Sequence, residues 1–127
     1  MQKREAAITN SVLNWLRGET RGSCAVEIKH TRGEKNFLMS ELKEHQRDWL
    51  VAASGIFGCQ YKIPDVGYGY NPFDGFILKK ADAFVVIVYP KWTVAIQIMK
   101  LVNVKMPSLS EDDALQIAQF RRPSKGL

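Results

Sequence analysis

The sequence predicts an α/β (α+β) domain, a central mixed sheet flanked by helices. Three observations lead there. Two early segments, 3–17 and 40–54, carry apolar residues at helical spacing. A β-branched segment, 23–30, lies between them, so helix and strand alternate at first. Three further strand-like segments, 73–79, 83–89 and 93–99, then follow in close succession.

Each element has a local reason. In 3–17, Ala7, Ile8, Val12, Trp15 and Leu16 recur at helical spacing, and Gly18 is the expected stop. In the strand 23–30, Val26 and Ile28 share one face while Ala25, Glu27 and Lys29 share the other. The stretch "TRGEKN", 31–36, reads as a polar loop. The helix "SELKEHQRDWLVAAS" takes Ser40 as N-cap, Leu42, Gln46, Trp49 and Leu50 as its stripe, and Gly55 as its end. The Gly- and Tyr-rich segment "KIPDVGYGYNPFDGF" reads as a loop between strands. "FVVIVY" is apolar throughout, as a central strand covered on both faces would be. "YPKW" joins it to 93–99 as a tight hairpin. Near the end, "SLSEDDALQIAQF" predicts a short helix with Ser110 and Asp113 as a capping box. Residues 121–127, "RRPSKGL", read as a flexible basic tail, and 1–127 as a single domain.

Composition narrows the function. A formal net charge of +5 and a pI near 9.3 favour an anionic partner, nucleic acid first. The two cysteines, Cys24 and Cys59, form no C-x-x-C pair and read as free thiols in a reducing compartment. "MQKREAAITN" has no apolar signal core, and no apolar run is long enough to cross a bilayer. The expectation is a soluble protein of the cytoplasm, the host's if the source is viral, with no membrane partner.

The strand "SCAVEIKHTRG" raises the chemical question. Glu27 and Lys29 point to the same side of it, roughly 6.6 Å apart along the chain. Together they can address one reacting centre. The carboxylate can hold a divalent cation, and the ammonium can stabilise a hydroxide or charge growing on a phosphate oxygen. The backbone carbonyl of Ile28 is a further hard oxygen ligand for magnesium. An exposed sheet face would carry the same pair harmlessly, and a second Glu-x-Lys, Glu41 to Lys43, falls on the predicted helix, where i and i+2 diverge; that copy reads as solvated surface. A magnesium site needs another carboxylate. Asp74, after the turn set by Pro72, is the first candidate, its neighbours Phe73 and Phe76 being expected core anchors. Asp65 in "IPD" competes with it, and Glu5 on the first helix is a third candidate.

The chain resembles the PD-(D/E)XK nucleases, specifically the small Holliday junction resolvases of archaeal and bacteriophage type. "REAAITNSVLNWLR" is similar to their first helix, with its early glutamate at Glu5. "AVEIKHT" resembles the E-x-K strand, "LKEHQRDWLVAASG" the helix after it with Gln46, and "ADAFVVIVYPKWTVAIQI" the closing strands. One departure stands out. The family's "PD" strand normally precedes E-x-K, whereas here only "GETRGS" separates helix from strand, and the similar "PFDGFIL" comes after the second helix.

The resemblance implies a restriction-endonuclease-like fold and a metal-dependent endonuclease for branched, four-way-junction DNA. It implies Mg2+ as cofactor, with Mn2+ as a substitute, held by Asp74, Glu27, the Ile28 carbonyl and Glu5. Lys29 would act on the attacking water, and Gln46 would position the lysine or the DNA backbone. Lys3, Arg4, Arg32 and Lys35 would track phosphates. A homodimer follows from the need for two symmetric nicks, through apolar residues of the closing strands or the first helix; Trp92 is either an interface anchor or simple hairpin packing. The alternatives are a nuclease of this fold acting on other DNA structures, or a non-catalytic DNA-binding protein.

Overall fold

The computed structural model describes residues 2–20, 22–55, 59–62, 73–78 and 80–127. Its centre is a four-stranded mixed sheet in the order β1-β5-β6-β8. Strand β1 (Cys24–His30) runs parallel to β5 (Asp82–Val88), with Glu27 opposite Val85. The other two pairings, β5 with β6 (Trp92–Gln97) and β6 with β8 (Phe120–Pro123), are antiparallel. The backbone N–H of Tyr89 donates to the Trp92 carbonyl at 2.9 Å and closes the expected hairpin between β5 and β6.

The period-2 alternation of β5 and β6 sorts their side chains between two cores. Ala83, Val85, Ile87, Val94 and Ile96 face one side of the sheet. There they meet Leu50 and Ala53 of α2 (Glu44–Ser54), Ile98 and Leu101 of α3 (Ile98–Leu101), and Ala114 of α4 (Glu111–Ile117). Phe84, Val86 and Ala95 face the other side, against Val12 and Leu16 of α1 (Gln2–Glu19). The sheet is thus covered on both faces, and β5 is buried from Ala83 to Val88, as an all-apolar central strand requires.

Several boundaries differ from the sequence reading. Helix α1 runs through Gly18 to Glu19, and Ala7 is exposed while Val12 and Leu16 form its buried stripe. Ser40 does not cap the second helix; Met39–Glu41 form a 3-10 turn and Lys43 is the N-cap. Two short strands, β2 (Asn36–Leu38) and β7 (Ser108–Ser110), pair antiparallel outside the central sheet. Strands β3 (Cys59–Lys62) and β4 (Gly75–Leu78) form their own two-stranded sheet.

The largest correction concerns the C-terminus. Residues 121–123, read as the start of a flexible tail, join Phe120, read as the end of the short helix, in edge strand β8. The Phe120 ring lies 5.8 Å from that of Phe84, the Arg121 guanidinium sits 5.3 Å from the Trp92 ring, and the Ser124 hydroxyl donates to the Tyr89 carbonyl at 2.6 Å. Pro123 is tolerated because it falls at the end of an edge strand. Trp92, the candidate interface anchor, is partly buried and packs against the chain's own core, as simple hairpin packing would have it.

Burial raises the phenol of Tyr89 well above its ordinary range, helped by the negative charges of Glu111 and Asp113. The group therefore stays protonated and donates to the Leu109 carbonyl at 2.9 Å. At the start of α4, Ser110 accepts from the Asp113 backbone N–H at 3.2 Å, as the sequence predicts. Ser110→Ala should cost about 1 kcal/mol, read as a lowered urea midpoint with an unchanged slope.

Candidate functional site

The two sides of β1 behave as the alternation predicts. Val26 and Ile28 pack toward α1, whereas Ala25 packs in the core beneath α2. Glu27 and Lys29 share the face of Ala25 and so project toward α2. Leu50 and Ala53 anchor α2 on the sheet. Gln46 precedes them by one and two turns, on the same helical stripe, and is carried to the strand by that packing. Trp49, expected on this stripe, falls to its flank and is half exposed.

These elements bring three predicted residues together. Gln46 Nε2 donates to Glu27 Oε2 at 3.2 Å. Lys29 Nζ lies 3.6 Å from the same oxygen. The amide of Gln46 is itself oriented, because its Oε1 accepts from the backbone N–H of Lys43 at 3.0 Å. With Oε1 so occupied, only Nε2 is left to face the carboxylate. The Lys29 and Glu27 side chains are 18% and 31% exposed, so the pair is reachable from solvent but partly desolvated. Among the described residues both partners meet a single Glu27 oxygen, and none is on the other, where a cation or a water can bind.

A cleft of about 900 Å³ adjoins the pair at the carboxyl end of β1. The run from Ile28 to Gly33 lines it, together with Ile8 and Thr9 of α1 and with Glu41 and Lys43. The turn at its rim needs two successive left-handed residues, Arg32 at φ 56° and Gly33 at φ 87°. Thr31 is fastened below it by N–H and hydroxyl bonds to the Val88 carbonyl, at 3.1 and 3.2 Å. Glu41 and Lys43, the Glu-x-Lys copy that reads as mere surface, are exposed as expected but line this cleft. Both lie in the connection between β1 and α2, on the far side of β2 from the strand's end.

The remaining predicted residues stand as follows. Asp74 is exposed and immediately precedes β4, in the two-stranded β3–β4 sheet. Phe73 is 53% exposed and does not anchor it in the core. Among the described residues no hydrogen bond or ion pair joins Asp74 to Glu27, and no group of three His, Cys, Asp or Glu is gathered as a metal site. Asp65 lies outside the described residues, as does Pro72. Glu5, Lys3 and Arg4 are helical positions of α1 whose side chains are not described. Glu5 is one turn before Ile8 and Thr9, the α1 residues at the cleft. Arg32 reaches the cleft, and Lys35 is exposed on the loop beyond it.

The oxygen donors on β1, the Glu27 carboxylate and the Ile28 carbonyl, fit a hard cation such as Mg2+ or Mn2+ in kind. Their number fits once a second carboxylate joins them. Among the described residues no helix is long and apolar enough to cross a membrane. Comparison with family models, curated proteins and solved structures returns no match to this chain.

Proposed function

We propose that the protein is a metal-dependent endonuclease acting on branched DNA, a Holliday junction resolvase of restriction-endonuclease-like fold. The observation that carries the reading is the contact set of Gln46, Glu27 and Lys29. These three residues come from two segments that resemble the resolvase pattern, and they meet on one face of one strand. The adjoining cationic cleft supports a phosphate-bearing substrate.

In this reading Glu27 and the Ile28 carbonyl hold Mg2+ or Mn2+ with a second carboxylate, from Asp74 or Glu5. Bound there, the ion would supply Lewis-acid activation of a water and of the phosphodiester. The chain's own residues do the rest. Lys29 orients the attacking water and stabilises the charge that grows on the phosphate oxygens. Gln46 fixes the Glu27 carboxylate in one rotamer and leaves one of its oxygens free for the metal. The work is done as a homodimer in the cytoplasm, because two symmetric nicks need two sites.

The test is nicking of a synthetic four-way junction by the purified protein with Mg2+ and with EDTA. The expected result is paired nicks on opposing strands that depend on the metal. Binding without nicking would assign a non-catalytic DNA-binding role, and equal cutting of linear duplex would remove the junction from the reading.

A further inference from the structure

We infer that the far edge of the central sheet is a seat for the phosphate backbone of duplex DNA. It consists of β8, the turn after it and Lys91 of the β5–β6 hairpin. The proposed function enters only in naming that duplex as an arm of the junction. The binding needs no metal and does not involve Glu27 or Lys29.

Position comes first. β1 and β8 are the two edges of the sheet, with β5 and β6 between them. At ~4.8 Å per strand the far edge lies about 14 Å from β1. Arg121 and Arg122 are in β8, and Lys125 is in the turn that follows. The Ser124 N–H donates to the Lys91 carbonyl at 2.8 Å, which sets Lys91 beside that turn. Successive strand residues point to opposite faces, so Arg121 and Arg122 flank the edge on both sides.

Availability comes second. Lys91, Arg121 and Lys125 are exposed and Arg122 is half-buried. Among the described residues none of these cations forms an ion pair. No Asp or Glu occurs from 114 to 127. Glu111 lies beside the hairpin, but its carboxylate accepts the backbone N–H groups of Lys91 and Trp92, at 3.0 and 2.8 Å. Order comes third. The Arg121 guanidinium rests 5.3 Å from the Trp92 ring, and Arg122 Nε donates to the Pro123 carbonyl at 3.2 Å. Arginines already held in place lose less freedom when they take a phosphate.

The same contacts select the ligand. Trp92 lies between Arg121 and the core, and Phe120 packs on Phe84, so this edge offers no open ring to an unstacked base. Sites for single strands supply such rings. What this edge offers is phosphate contact, which reads no sequence. A duplex presents phosphates densely, about one per 1.7 Å of axis. Charges on an edge strand also keep it from pairing with another chain, and the experiment separates that role from binding.

The test is fluorescence anisotropy in EDTA with two labelled blunt duplexes of unrelated sequence and an oligothymidylate of equal length. The wild-type protein should bind both duplexes alike and the single strand more weakly. Arg121→Gln combined with Lys125→Gln should weaken duplex binding about tenfold and flatten the slope of log affinity against log salt by about 1.8. Lys91→Gln combined with Lys125→Gln, which leaves the Trp92 contact intact, should do the same. Lys100→Gln combined with Lys105→Gln removes equal charge from exposed positions on and after α3 and should keep wild-type affinity within about twofold. Thermal melting checks the fold of each, and light scattering its self-association.

Equal losses in the edge and control variants would reduce the effect to net charge and overturn the proposal. So would edge variants that self-associate while binding duplex like wild type, which would leave edge protection as the role of these cations. Tighter binding of the single strand, lost in the edge variants, would also overturn it. Junction nicking is scored separately. A protein that nicks while the edge variants bind duplex normally loses this seat and keeps the nuclease. One whose edge variants lose duplex binding, and which never nicks, keeps the seat and loses the nuclease.

Discussion

Lys29→Ala should lower the single-turnover rate of junction nicking by ~10²–10³-fold, the usual loss when one preorganised electrostatic group is removed from a reacting centre. Junction affinity should fall far less, because most binding comes from phosphate contacts spread over the surface. The ammonium sits 3.6 Å from Glu27 Oε2 and is mostly shielded from water, so little else can replace it. Lys29→Arg should recover only part of the rate, since a planar guanidinium cannot occupy the same point beside Glu27 and Gln46. Gln46→Ala should give an intermediate loss in rate with junction affinity unchanged, because it frees the Glu27 carboxylate without removing it. A gel-based time course with enzyme in excess measures all three. Nicking by Lys29→Ala at the wild-type rate would remove the lysine from the chemistry.

Deleting residues 120–127 should abolish cooperative folding. The deletion strips β8 from β6 and uncovers Phe84, which is otherwise buried. It also removes the Ser124 hydroxyl bonds to the Tyr89 carbonyl and Thr93 that hold the β5–β6 turn. A milder variant, Phe120→Ala, should cost up to ~3 kcal/mol, the low end for a buried phenylalanine, because Phe120 is only partly buried. Against a typical domain stability of about 5–15 kcal/mol, one such loss is readable and the whole strand is decisive. Urea unfolding followed by circular dichroism distinguishes this from a dangling tail, whose removal would move stability by less than ~0.5 kcal/mol.

The contrast between these two regions shows what local sequence carries. The two faces of β1 were legible because strand alternation is strict, and Ala25, Glu27 and Lys29 could share only one side. The position of Gln46 was legible through its place on the stripe of α2, one turn before Leu50, whereas its place in the site came from the resemblance alone. β5 was legible because an all-apolar strand must be covered twice. β8 was hidden because two arginines and a proline mask a strand of four residues, and only its pairing with β6 makes it one. Strands β2 and β7 are three residues each and have no period to detect. The N-cap of α2 moved because the 3-10 turn at Met39–Glu41 takes up Ser40 first. Asp74 is the non-local case. Nothing in "NPFDGFIL" states how the β3–β4 sheet sits against β1, and a turn aspartate and a metal ligand look alike in sequence. Asp74→Asn and Glu5→Gln, assayed beside Asp65→Asn for metal-dependent nicking, identify the second carboxylate as the one whose loss removes activity.

The most direct measurement is single-turnover nicking of an immobile four-way junction by the wild-type protein and by Glu27→Gln, in parallel, across a Mg2+ titration. Glu27 is where the hydrogen bond from Gln46, the ion pair with Lys29 and the open carboxylate oxygen converge. Glutamine keeps the size of the side chain and removes the charge that a cation needs. The proposed function predicts that wild type nicks with a saturable Mg2+ dependence, and that Glu27→Gln binds the junction normally and does not nick at any Mg2+ concentration. Nicking by Glu27→Gln at the wild-type rate and with the same Mg2+ midpoint would contradict it.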